Sequence, residues 1–293
     1  MKTKIFFLLS LMVCSNLLLV GQDAATNGND DKKIRRIKMW HGEKGVERYR
    51  ISTKANEYFN SGDFRGAIDF LTKEISMLDV QDNDYVLHTS GYTFGLRGVA
   101  YYYLQDCDSA LNDLNKAVEI CPKWSDGYFM RGNVKYALGG YQSASADYMK
   151  AVELKPKAAG YLDALCICYS RAEDYPNAIK CYKKILARNS CNSYARDNLG
   201  YAYLATNDYP SAIINFKKCL EVEPENVDVI LGLVLAYYYH NDLANATKYI
   251  NQARELKPIL TEGVAGFEKF KEEGWFYNEK DDAALKKMLA ELK

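Results

Sequence analysis

The residue types that most often do chemistry are sparse and scattered in this chain. There are three histidines, His41, His88 and His240, far apart in sequence, which are expected to be ordinary surface or core residues. The sequence contains no glycine-rich phosphate loop, no G-x-S-x-G and no H-E-x-x-H. Of eight cysteines, Cys14 falls in the apolar amino terminus; the other seven are Cys107, Cys121, Cys166, Cys168, Cys181, Cys191 and Cys219. None has the spacing of a metal knuckle, and Cys166-Ile167-Cys168 sends its two thiols to different faces of a helix. No catalytic residue, metal site or cofactor is therefore expected. The tyrosines are more suggestive: there are 24, enough to furnish a binding surface of rigid, amphipathic rings.

Those tyrosines sit on a repeating frame. From Asn198 to Pro224 the sequence predicts two short helices and a turn. Leu199, Tyr203 and Leu204 share a face of the first helix. Asp208 caps the second, Pro210 fits its first turn, Ala212, Phe216, Cys219 and Leu220 follow at helical spacing, and Pro224 ends the unit. Steps of 34 residues carry Gly200 back to Cys166, Gly132 and Gly98, and on to Val234. Six frames keep one alanine: Ala67, Ala110, Ala144, Ala178, Ala212 and Ala246. A first-helix tyrosine recurs as Tyr58, Tyr101, Tyr169, Tyr203 and Tyr237, broken only by Lys135. Aspartates recur at the second-helix cap as Asp63, Asp106, Asp174, Asp208 and Asp242, with Gly140 the exception. Such aspartates are structural, each worth ~1 kcal/mol.

This pattern resembles the tetratricopeptide repeat (TPR) family over about residues 51–258. The resemblance implies an all-α, right-handed superhelical solenoid of antiparallel helix pairs. One hairpin cannot bury its apolar face alone, so neighbours stack. Close crossing is expected where Gly98, Gly132 and Gly200 meet the recurring alanine, with an aromatic filling the space beside them. Cys107, Cys166 and Cys219 fall on small or aromatic positions and are expected to be buried thiols; a disulfide among the cysteines is the alternative.

The resemblance also implies a groove lined by first helices. By phase it would carry Tyr102, Tyr103, Asn133 and Tyr136, then Ile167 and Arg171, then Tyr194, Asp197 and Tyr201, and finally Asp228, Leu231, Leu235 and Tyr238. The family's carboxylate clamp places Lys and Asn four apart in that groove; none of the corresponding pairs, such as Phe129/Asn133 and Asp197/Tyr201, matches it.

The domain order follows. Residues 1–22, with Lys2, Lys4 and an apolar run, are expected to be a secretory signal. An uncleaved anchor and a lipoprotein signal ending at Cys14 are the alternatives. Residues 23–45 are expected to be a polar then basic linker, with Ile34, Ile37 and Trp40 packing on the first repeat. Six repeats fill 46–258. The extra residues between repeats 1 and 2 either loop out or lengthen a helix from about Asp84; Gly91 and Gly95 weigh against the helix. Residues 259–293 form capping helices, with Gly274-Trp275-Phe276-Tyr277 as a turn and Asn278 capping a last helix that buries Leu285, Met288, Leu289 and Leu292.

Lys+Arg and Asp+Glu are both 38, a balance that argues against nucleic acid as a partner. The expected function is a non-catalytic scaffold, exported to the periplasm or outer envelope, binding a protein or extended peptide in a tyrosine-lined groove. A cell-wall glycan binder and a regulatory subunit of an envelope enzyme are the alternatives. Membrane association is expected only if the signal is retained or Cys14 is lipidated, and homo-oligomerisation is left open.

Overall fold

The computed structural model describes residues 30–78, 84–158, 160–272 and 279–291. The expected signal peptide, the Gly274 to Tyr277 turn, Asn278 and Leu292 lie outside the described residues. The helices, in order, are α1 (Asp30–Ser61), α2 (Phe64–Ser76), α3 (Asp84–Tyr103), α4 (Cys107–Ile120), α5 (Ser125–Ala137), α6 (Tyr141–Leu154) and α7 (Tyr161–Arg171). They continue as α8 (Tyr175–Arg188), α9 (Ser193–Ala205), α10 (Tyr209–Leu220), α11 (Val227–Tyr239) and α12 (Leu243–Leu256). A 3-10 turn (Pro258–Glu262), α13 (Val264–Glu272) and α14 (Glu279–Glu291) follow. The chain forms two compact units, divided between Leu162 and Asp163, within the first turn of α7.

Each repeat turns by one device. The residue before the cap is left-handed: Gly62, Gln105, Gly139, Glu173, Asn207 and Asn241, with φ between 58° and 82°. The next backbone N–H then reaches back to the carbonyl of the recurring first-helix residue, as Asp63 to Tyr58 and Asp208 to Tyr203, at 2.9–3.0 Å in all six repeats. This is a Schellman closure of the first helix. The same aspartates cap the second helix, accepting from the N–H groups of Gly66, Ser109, Asn177, Ser211 and Asn245 at 2.9–3.3 Å. One residue thus ends one helix and begins the next. Gly140 keeps the turn but supplies no side-chain cap.

The crossing differs from expectation in its partner. The recurring alanines are all completely buried. The glycines face not the alanine's side chain but the large residue sixteen positions on. A methyl on Gly132 would lie 2.8 Å from the Tyr148 ring, and one on Gly200 2.6 Å from the Phe216 ring. At Gly98 the neighbours are Leu114 at 2.9 Å and the Ala110 carbonyl at 3.0 Å. In repeat 4 Cys166 holds this position, and the expectation of a free thiol there is corrected: Cys166 is bridged to Cys181, tying α7 to α8.

Two further readings change. The helix does begin at Asp84 and runs through Gly91 and Gly95, because each glycine is a notch: the first receives the Cys121 thiol and the second the Trp124 ring. The segment read as a linker is helical from Asp30, with a kink at Gly42 (φ 62°).

In the amino-terminal unit, arginines join neighbouring repeats. Arg97 donates to both oxygens of Asp113 at 2.7 and 2.9 Å and to Thr72 Oγ1 at 3.0 Å. Arg131, 34 residues later, pairs with Asp147 and donates to Asn115 Oδ1 at 2.9 Å. Each arginine links its own two helices to the preceding second helix. In the carboxy-terminal unit, α11 is buried on nearly every face, from Val227 to Tyr237 except Asp228. Its core continues into Leu260, Phe267, Phe270, Leu285 and Leu289.

Candidate interaction surface

In the amino-terminal unit, α3 and α5 pack side by side. They carry Tyr102, Tyr103, Asn133 and Tyr136. Tyr102 is half-buried, and burial, with Cys107 adding to it, pushes its phenol up to about 12. Tyr103 stacks on Phe64 of the preceding repeat with centroids 4.5 Å apart, so its ring serves a repeat junction. Asn133 is buried and accepts from the Tyr148 hydroxyl at 2.8 Å; it braces the hairpin instead of facing a partner. Tyr136 is half-buried, its ring 5.2 Å from that of Tyr141.

In the carboxy-terminal unit, α7 carries half-buried Ile167 and exposed Arg171. Helices α9 and α11 pack together. Tyr194, on α9, is 52% exposed. Tyr201 sets its ring edge-on to Phe216 at 5.0 Å and donates its hydroxyl to the Asp228 carbonyl at 2.9 Å. Tyr238 is half-buried beside Tyr239 at 5.6 Å. Leu231 and Leu235, placed in the groove by phase, are completely buried instead. Both belong to a core cluster that takes in side chains of α13 and α14. Helix α14 packs against α11, with the Tyr239 hydroxyl donating to Asp281 Oδ1 at 2.9 Å and to the Lys280 carbonyl at 3.2 Å.

Sequence reasoning placed Asp197 on this face without singling it out. It lies three residues after Tyr194 and four before Tyr201, hence on one side of α9. Its Oδ1 is closed to solvent and accepts no hydrogen bond. Burial first, then the charges of Asp228 and Glu223, hold its carboxyl well above the usual range.

Nucleophilic chemistry is poorly served by the buried thiols Cys168 and Cys219. Burial pushes Cys168 up to about 12, and burial with nearby Asp197 and Glu223 does the same to Cys219. Among the described residues no group of three or more His, Cys, Asp or Glu side chains could hold a metal ion, and no helix is long and apolar enough to cross a membrane.

The family model for the tetratricopeptide repeat matches residues 125–157 and 194–226. Solved structures extend the likeness. A tetratricopeptide repeat protein from Parabacteroides merdae ATCC 43184 matches with TM-score 0.56 at 17% identity, over 83% of this chain and 98% of its own. The fold is that of the tetratricopeptide repeat. MamA from Desulfovibrio magneticus RS-1 matches with TM-score 0.53 at 17% identity, over 58% of this chain and 96% of its own. YrrB, described as a TPR protein with an unusual peptide-binding site, matches with TM-score 0.52 at 18% identity, over 57% of this chain and 87% of its own. At these identities the TPR likeness is one of fold. No curated protein matches the sequence.

Proposed function

We propose that this TPR protein is a non-catalytic scaffold that binds an extended peptide or a protein segment on the first-helix faces, and that it works outside the cytoplasm. The observation that carries the reading is Tyr194, a large ring left more than half exposed on α9, with half-buried Ile167, Tyr201 and Tyr238 on the first helices of the same unit. Exposed aromatics on a rigid helical frame make good anchors, since little side-chain entropy is lost on binding. YrrB, a protein of the same fold with a peptide-binding site, adds support by analogy of fold. The Cys166–Cys181 bridge supports an oxidising location, as does the secretory character of residues 1–22.

The test is binding of the full-length chain to an array of overlapping peptides from envelope proteins, beside a Tyr194→Ala/Tyr238→Ala variant. Binding should fall by about tenfold or more in the variant, as loss of two aromatic anchors implies, with unchanged helix content and melting temperature. Equal binding by both chains would overturn the assignment of the face. Recovery of the intact amino terminus from the cytoplasmic fraction would overturn the location.

A further inference from the structure

The part of α1 ahead of its kink at Gly42 differs from the rest of the chain in charge. Lys32, Lys33, Arg35, Arg36 and Lys38 fall in a span, 32–38, that holds no acidic residue, in a chain whose net charge is zero. At helical spacing the span has two sides. On one, the Lys33 ammonium lies 4.9 Å over the Tyr49 ring, Lys38 pairs with Glu43, and Ile34 and Ile37 are half-buried. Lys32, Arg35, Arg36 and Met39 occupy the other, and all four are exposed. Met39, at 72%, is the most open large apolar side chain among the described residues. Among those residues Lys32, Arg35 and Arg36 form no ion pair, whereas Lys38 does. Gly42 sets this arm apart from the helix that follows. Its φ of 62° suits glycine, and no atom lies within 4 Å of where a side chain would begin, so the residue serves the bend and not a close contact.

We propose that the Lys32–Arg35–Arg36–Met39 face lies on the anionic headgroups of a lipid bilayer. Three unmatched cations around an exposed apolar side chain suit that surface. The cations are drawn to anionic lipid, and the apolar group enters the boundary between headgroups and acyl chains. An acidic polypeptide or a nucleic acid matches the charge but leaves Met39 in water. Position in the chain agrees. The apolar run of residues 5–20 stops shortly before α1 begins at Asp30, so the arm is the first described segment after the part of the sequence with membrane character. No described helix is long and apolar enough to cross a membrane, and a face that lies on the surface needs none. Attachment of this kind requires neither a retained signal nor a lipid on Cys14. It is reversible and weakens as salt screens the charges.

Co-sedimentation of the full-length chain with vesicles tests this, using phosphatidylcholine alone and phosphatidylcholine mixed with phosphatidylglycerol. Binding that the apolar run contributes is read on the neutral vesicles; the added affinity for the mixed vesicles reads the basic face. The variant Lys32→Gln/Arg35→Gln/Arg36→Gln changes only exposed side chains and should keep the parent's melting temperature. At low salt it should lose roughly a hundredfold in affinity for the mixed vesicles, about fivefold per cation, with little change on the neutral ones. Met39→Ser should weaken binding to the mixed vesicles severalfold. Lys2→Gln/Lys4→Gln, at the cations before the apolar run, should retain the preference for anionic lipid. Absence of that preference in the parent, its survival in the triple variant, or its loss in Lys2→Gln/Lys4→Gln overturns the inference. Soluble poly-glutamate is the further arm. If the triple variant loses more affinity for it than for the mixed vesicles, and Met39→Ser changes neither, the face belongs to an acidic chain and the lipid assignment is overturned.

Discussion

Glu74 is the residue whose environment predicts the sharpest pH effect. It is almost fully buried on α2, and burial raises its carboxyl to about 7 against the opposing pull of Arg48, Thr93 and Ser52. The folded chain thus holds a proton that the unfolded chain releases near its ordinary value. Stability is fully present below that ordinary value and is lost as pH rises toward about 7. The loss is on the order of 3 kcal/mol at complete ionisation. Glu74→Gln should raise the melting temperature at pH 8, change it little at pH 5, and flatten the profile between; a parallel shift at both pH values would refute the assignment. Gly200→Ala carries a different expectation. Its methyl would press on the Phe216 ring, so denaturant unfolding should show a loss of about 1–3 kcal/mol. The period made Gly200 visible in the sequence and put an aromatic beside it, but it gave the closest contact to the recurring alanine, whereas the Phe216 ring takes it. Asp197 was legible in the same limited way. Its place on the face followed from phase, whereas the upward push on its carboxyl comes from burial and from Asp228 and Glu223, which are distant in sequence.

Among elements, the turn between paired helices was half legible. The recurring aspartates read plainly as caps, since a cap acts within three residues of itself. The left-handed residue before them left a signal in Gly62, Gly139, Asn207 and Asn241, types that tolerate positive φ, but Gln105 and Glu173 broke it. Those two pay a conformational cost that glycine avoids. Gln105→Gly and Glu173→Gly should each stabilise the fold by up to ~1 kcal/mol, read as a higher melting temperature; Asn207→Gly, at a residue that already tolerates the conformation, should do little. Helix α3 shows the opposite failure. Glycine propensity argued against a helix at Gly91 and Gly95, yet both are sites where Cys121 and Trp124 press close. Packing overrides propensity there. Tyr103 was likewise assigned to a groove when its ring closes the junction with Phe64.

For the molecule as a whole, the array of paired antiparallel helices was readable from the 34-residue period, because each repeat is one local unit. Long-range pairings were not. The Cys166–Cys181 bridge was one of many connectivities open to seven cysteines. Reduction should destabilise the carboxy-terminal unit by about 3 kcal/mol, the entropy of a closed loop of this size, and should leave the Arg97–Asp113 and Arg131–Asp147 junctions of the other unit intact in hydrogen exchange. The covering of α11 by α14 was equally hidden, since the two lie some 40 residues apart. It bears on how the protein is made. A ribosome releases α11 well before it has synthesised the helix that packs on it, so a nascent chain displays one of its greasiest helices until α14 has followed. Only chains that carry α14 can hide that surface. A message with a stop after Lys257 should yield a product that is rapidly degraded or aggregates, giving the cell a means of discarding chains without α13 and α14 that requires no dedicated recognition signal.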